Sequence, residues 1–178
     1  MWPTIWTIGH SVRPFDELVA VLDAYDIEHV ADVRRFPGSR RLPQYSAPAL
    51  EAALQPRGLS YQWFEALGGR RRPDPTSPSN AWRHPAFRAY AEHIQTESFA
   101  EGLFELLMVA QGLRTVVMCA EVLWWRCHRR IIADVLTSLG VPVVHIRDAR
   151  IVEPHRLAPP ARIVGGRLTY AQDSRGAG

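Results

Sequence analysis

Thr115-Val-Val-Met-Cys-Ala-Glu-Val-Leu-Trp-Trp-Arg-Cys-His-Arg129 holds both cysteines of the chain, a carboxylate, a histidine and two arginines directly after an apolar run. Residues 115–118 read as a buried strand, being short, apolar and β-branched. Downstream, Ile131, Ile132, Val135, Leu136 and Leu139 recur at helical spacing, so the segment is a strand, a loop and a helix. In open α/β sheets, turns of this kind line the crevice where ligands bind.

The same alternation extends through the rest of the chain. A strand is expected over residues 4–8, then a helix on which Phe15, Leu18, Val19, Leu22 and Tyr25 share a face and Pro14 suits the first turn. Next come a strand over 29–33, a helix over about 46–57 stopped by Gly58, and a short strand near 61–64. One helix is expected over 85–96. A second begins at Ser98-Phe-Ala-Glu101, where serine and glutamate match a capping box, and ends near Gly112. A strand over 141–146 follows the cysteine segment. Strands separated by helices imply right-handed crossovers. The expected class is therefore α/β: a single domain with a mostly parallel sheet flanked by helices on both faces. Arg162-Ile-Val-Gly-Gly-Arg-Leu-Thr-Tyr170 adds a C-terminal hairpin signal. Residues 1–170 are taken as the domain and 171–178 as a mobile tail.

At 178 residues and 47% hydrophobic content, the chain can bury one core. Met1-Trp-Pro-Thr-Ile-Trp6 has no basic leader, and no stretch approaches the roughly 20 apolar residues of a membrane helix. A cytoplasmic protein without a membrane partner is expected. Two cysteines are too few to staple such a chain, which points to reduced thiols. All 21 basic side chains are arginines, lysine being absent, and the net charge is +3. That excludes Schiff-base, pyridoxal-phosphate and P-loop lysine chemistry. Each basic contact is instead a planar guanidinium suited to two-pronged binding of phosphate or carboxylate.

If the strands are parallel, their carboxyl ends share one rim, and three ends carry polar groups. His10, Ser11, Asp32, Arg34, Cys119 and Glu121 are expected to converge there, joined by Cys127, His128 and Arg129. The expected catalytic set is Cys119, Glu121, Cys127, His128, His10 and Asp32; the expected anion-binding set is Ser11, Arg34, Ser39, Arg40 and Arg129. In the working scheme a histidine exchanges a proton, Asp32 or Glu121 orients it, and a cysteine is an optional nucleophile. The bland reading stands beside this one: Asp32 and Arg34 as an ordinary ion pair, and Ser11 satisfying backbone groups near a turn.

Thr7-Ile-Gly-His-Ser11, Asp32-Val-Arg34 with Pro37-Gly-Ser-Arg40, Leu67-Gly-Gly69, and Cys119-Ala-Glu121 with Cys127-His-Arg129 occur together and in this order. In this the chain resembles the domain of unknown function 488 family of bacterial proteins. The resemblance runs from about residue 4 to residue 146. It implies a compact α/β domain with these motifs around one cleft, and it supplies no reaction. Val122-Leu-Trp-Trp125 departs from the pattern by being more apolar.

Cys127, expected at a helix amino terminus beside Arg126 and His128, is the better electrostatic candidate for a thiolate, and Cys119 is the better placed in a cleft. A cysteine-headed phosphatase loop needs an arginine six residues on, where this chain has Trp125, and residues 120–125 contain no glycine to let amides wrap an oxyanion. That chemistry is rejected. No cofactor or metal is assigned. Zinc is the one alternative, with Cys119, Cys127, His128 and His10 as ligand types. Against it stand the lack of a Cys-x-x-Cys pair and the awkwardness of adjacent Cys127 and His128 addressing one ion from a helix.

The expectation is thus a small enzyme, a thiol- or histidine-dependent hydrolase or transferase, acting on an anionic substrate such as a nucleotide or phosphate-like molecule. The rival is a non-catalytic module binding nucleotide or single-stranded nucleic acid through Arg34-Arg35, Arg40-Arg41, Arg70-Arg71-Arg72 and Arg129-Arg130, interleaved with Trp63, Trp82, Trp124 and Trp125. Residues 68–85, rich in glycine, proline, serine and arginine, are long enough to close over the rim with Trp82 as a latch.

Overall fold

The structure, a computed structural model, describes residues 1–38 and 40–172. Strands β1 (Ile5–Gly9), β2 (His29–Asp32), β3 (Ser60–Trp63), β4 (Thr115–Cys119) and β5 (Val143–Ile146) run parallel. Strand β6 (Val152–Pro154) adds antiparallel to β5, giving the order β3-β2-β4-β1-β5-β6. Strands β7 (Arg162–Val164) and β8 (Arg167–Thr169) form a separate hairpin whose Gly165 and Gly166 take φ of 58° and 77°, the left-handed conformation such a turn requires. The fold is α/β, with a mostly parallel sheet.

Period-two alternation in the strands builds two cores. Trp6, Ile8, Val30, Val116, Met118 and Ile146 face helices α1 (Phe15–Asp23) and α2 (Ala47–Leu54). Ile5, Ala31, Val117 and Val143 face α3 (Pro85–His93), α4 (Glu97–Gly112) and α5 (Arg129–Ser138). Both faces of β4 are therefore covered, which is why its sequence is a continuous apolar run rather than an alternating one.

Several boundaries differ from the sequence reading for local reasons. Helix α4 starts earlier than Ser98: Thr96 is its N-cap, its hydroxyl accepting from Phe99 N at 3.2 Å, so Ser98 and Glu101 lie inside the helix. Helix α2 ends at Leu54 and passes through a 3₁₀ turn, Gln55–Arg57, before Gly58 at φ 75°. Helix α5 starts at Arg129, with Cys127 extended at φ −122° and ψ 151° ahead of it. Strand β6 carried no apolar alternation to announce it. Ala171 and Gln172 of the expected tail donate to Thr169 Oγ1 and Asn80 Oδ1; residues 173–178 lie outside the described residues. Trp82 is buried against Phe87 and Tyr170, so it anchors its segment in the core rather than serving as a free latch. No helix among the described residues is long and apolar enough to cross a membrane.

Candidate functional site

The carboxyl ends of β1, β2 and β4 are stitched together by backbone. His10 N donates to Cys119 O at 2.9 Å, Ser11 N to Ala120 O at 3.0 Å, and Val33 N to Met118 O at 3.0 Å. The β4 loop crosses so close to β1 that a Cβ on Gly9 would stand 1.9 Å from the Glu121 carbonyl oxygen. Only glycine allows that approach.

Alternation then divides the expected single cleft into two clusters on opposite faces of the sheet. On the α1/α2 face, Asp32 accepts from Arg34 Nε at 2.9 and 3.1 Å, from Arg34 Nη2 at 2.5 Å, from the Arg34 backbone at 3.0 Å and from Tyr61 OH at 2.6 Å. Arg34 Nη1 donates to the Tyr45 carbonyl at 2.6 Å and lies 3.3 Å from His10 Nε2. His10 stacks on Tyr45 with ring centroids 3.9 Å apart, and its Nδ1 donates to the Ser11 carbonyl at 2.8 Å. Burial, with a smaller push from Arg34, lowers the His10 pKa to about 4 and keeps the imidazole neutral. The Arg34 guanidinium is thus spent on internal partners, as in the bland reading of this pair.

On the α3–α5 face stand Cys119, Cys127, His128 and Arg129. The ligand atoms of Cys119, Cys127 and His128 lie within 4.8 Å of one another, and Cys127 Sγ is 3.6 Å from His128 Nδ1. Nε2–H of His128 donates to the Val33 carbonyl at 2.9 Å, which leaves Nδ1 as the lone-pair nitrogen facing the thiols. A Cβ on Gly69 would stand 2.8 Å from that Nδ1, so the Leu67-Gly-Gly69 motif makes room for the imidazole. The objection that adjacent Cys127 and His128 cannot address one point falls because neither lies within the helix. A hydrogen bond to Cys127, then burial, hold the Cys119 thiol well above the ordinary range. Burial opposes ionisation of Cys127 too, yet a hydrogen bond from Cys119 and the charge of Arg129 act against it and hold Cys127 well below that range.

Arg129 is only 1% exposed. It donates to the Glu121 and Val122 carbonyls and to Thr7 Oγ1, and its Nε is buried without a hydrogen-bond partner. Thr7 opens a buried chain that the sequence reading missed. Thr7 OH donates to His145 Nδ1 at 2.7 Å, His145 Nε2–H to His155 Nδ1 at 2.9 Å, and His155 Nε2–H to Asp134 Oδ1 at 2.8 Å. Tyr170 OH donates to Asp134 Oδ2 at 2.7 Å. Each donor from Arg129 to His155 points towards Asp134, so a continuous hydrogen-bonded chain links a buried arginine to a buried carboxylate. Burial foremost drives the His145 pKa down to about 2. Trp124 stacks on His145 with centroids 4.1 Å apart, so this residue of the apolar connector covers the chain.

The remaining expected residues that the structure describes do not join the thiols. Glu121 is exposed, and its carboxylate accepts from Leu123 N at 3.0 Å, so it orients no histidine; neither does Asp32, and the Val33 carbonyl holds His128 instead. Ser11 takes φ 50° and bonds through its backbone. Arg40 is exposed, and Ser39 lies outside the described residues. His10, the fourth zinc ligand type, is committed on the other face. Arg129 is the arginine that acts on both thiols; Arg35 and Arg71 act on His93, as does His128, and Arg71 also acts on Tyr90, while Arg35 pairs with Glu65 and Arg71 Nε donates to the Gly68 carbonyl at 3.1 Å. Arg35 and Arg71 both belong to arginine clusters noted in the sequence, Arg34-Arg35 and Arg70-Arg71-Arg72.

No curated protein and no solved structure matches the chain. A family model described as "Domain of unknown function DUF488" matches residues 14–136, a span that includes Asp32, Gly69, both cysteines, His128 and Arg129, and the chain belongs to that family.

Proposed function

We propose that the protein is an enzyme whose reacting centre is the Cys119, Cys127 and His128 cluster and which carries out hydrolysis or group transfer on a small anionic substrate. The observation that carries this reading is the convergence of three reactive side chains within 4.8 Å at the carboxyl end of a parallel sheet, where α/β enzymes place their chemistry. Their setting supports it. Cys119 and His128 are partly exposed, which gives access from the rim, and Cys127 lies buried between them. Arg129 beside the thiols, and Arg71, which acts on the same Tyr90 as both thiols, bring positive charge that favours an anion. His10, Asp32, Arg34 and Tyr61 serve as the buried support of the same rim from the opposite face.

Turnover of a panel of phosphate esters, nucleotides and anionic acyl esters tests the proposal. Cys127→Ser and His128→Gln are expected to abolish turnover, Arg71→Ala to raise KM, and Arg57→Ala, on the remote surface pair with Asp16, to change nothing. Turnover indifferent to Cys127 and His128, or none with any member of the panel, overturns it.

A further inference from the structure

We propose that Cys119, Cys127 and His128 form a three-ligand seat for a zinc-class divalent metal ion, with the fourth coordination position open on the rim side. This deepens the enzymatic reading and rests on the same cluster. One spacing matches a coordination sphere, and the other two are bounded near it. Around a tetrahedral zinc, with Zn–S about 2.3 Å and Zn–N about 2.05 Å, sulfur and nitrogen ligands stand about 3.6 Å apart and two sulfurs about 3.8 Å. Cys127 Sγ and His128 Nδ1 are 3.6 Å apart, and all three ligand atoms fit within 4.8 Å.

Three further features fit a metal better than an ordinary packed thiol pair. The Val33 carbonyl takes the Nε2 proton of His128, the outer contact that fixes a metal-binding imidazole in orientation and tautomer. Gly69 lies against the imidazole where any side chain would displace it. Arg129, fully buried beside the sulfurs with an unpartnered Nε, sets a positive charge against the negative charge that two metal-bound thiolates would carry. Two thiolates and a neutral imidazole suit a soft divalent ion and balance its charge. Three protein ligands with an open position form a catalytic rather than a closed structural centre, able to polarise a bound water or a substrate oxygen.

The test is titration of the chelator-treated full chain with Co²⁺. One equivalent is expected to produce sulfur-to-cobalt charge-transfer absorption and intense visible bands of tetrahedral geometry, both displaced by Zn²⁺. Cys119→Ser and Cys127→Ser should each weaken the charge-transfer band, and His128→Gln should remove the tetrahedral pattern. No absorption in the wild type, or the same absorption in all three variants, overturns the proposal. Should a variant fail to fold by circular dichroism, the wild type decides alone: Zn²⁺ must protect both thiols from alkylation by iodoacetamide, and unprotected thiols refute the seat. Cobalt binding without turnover of any ester leaves the seat standing and removes the enzymatic reading. Turnover that needs Cys127 yet survives chelation, with no cobalt bands, does the reverse.

Discussion

Replacing Asp32 by alanine is expected to destabilise the fold rather than merely silence a site. The carboxylate is wholly buried and accepts four bonds from Arg34, counting its backbone, and one from Tyr61. Its removal leaves the Arg34 guanidinium, 7% exposed, with the Tyr45 carbonyl, His10 and the Tyr61 hydroxyl to face and no negative partner at neutral pH. Breaking a buried pair from one side costs about 3–5 kcal/mol, because the surviving charge loses solvation and partner together. In a chain of this length each kcal/mol moves Tm by about 2–4 °C, so a fall of about 10 °C is expected. Urea unfolding of Asp32→Ala, Arg34→Met and the double variant Asp32→Leu with Arg34→Met measures it. The double variant should recover most of the loss, since apolar replacement of a whole buried pair is often near neutral. A loss below about 1 kcal/mol for Asp32→Ala, or a double variant as weak as the sum of the singles, refutes the structural assignment and returns Arg34 to the list of substrate contacts.

Gly69→Ala puts a Cβ 2.8 Å from His128 Nδ1, so the imidazole must shift from the position in which it bonds the Val33 carbonyl. The expected result is a fold weakened by about 1–3 kcal/mol with its Co²⁺ spectrum lost; a spectrum equal to that of the wild type refutes the geometry. Burial lowers the His29 pKa from 6.5, its Nδ1 bonds Ser60 Oγ, and its Nε2 has no partner. Below pH 6.5 the unfolded chain takes up a proton that the folded state resists, so stability falls as pH drops through that point. His29→Gln should flatten this slope in urea midpoints taken at pH 7.5 and 5.5, and an unchanged slope contradicts the assignment.

How legible the molecule was depends on the range of the interaction concerned. The β-branched run before Cys119, the stripe from Ile131 to Leu139 and Gly165-Gly166 are local signals, and each formed the element expected. Ser98-x-x-Glu101 misled because Thr96, two residues earlier, offers the same cap chemistry and has the backbone geometry for it. Cys127 and His128 were taken for helical residues, which hid their ability to meet, because helix ends are set by capping and packing rather than by periodicity. His145, His155 and Asp134 read as scattered polar residues, since nothing local says that three elements bring them into one chain.

By itself the sequence determined the alternating α/β class, the rim that gathers His10, Asp32 and Cys119, and the exclusion of lysine chemistry. Only the tertiary structure decided which of these groups can act together. Successive strand residues point to opposite faces, so the pairing registers Asp32↔Met118 and Gly9↔Cys119 place Asp32 and Cys119 on different sides of the sheet. Register is set by long-range hydrogen bonds and by the cores on either face, and it separated an arginine-carboxylate support from a thiol-imidazole centre.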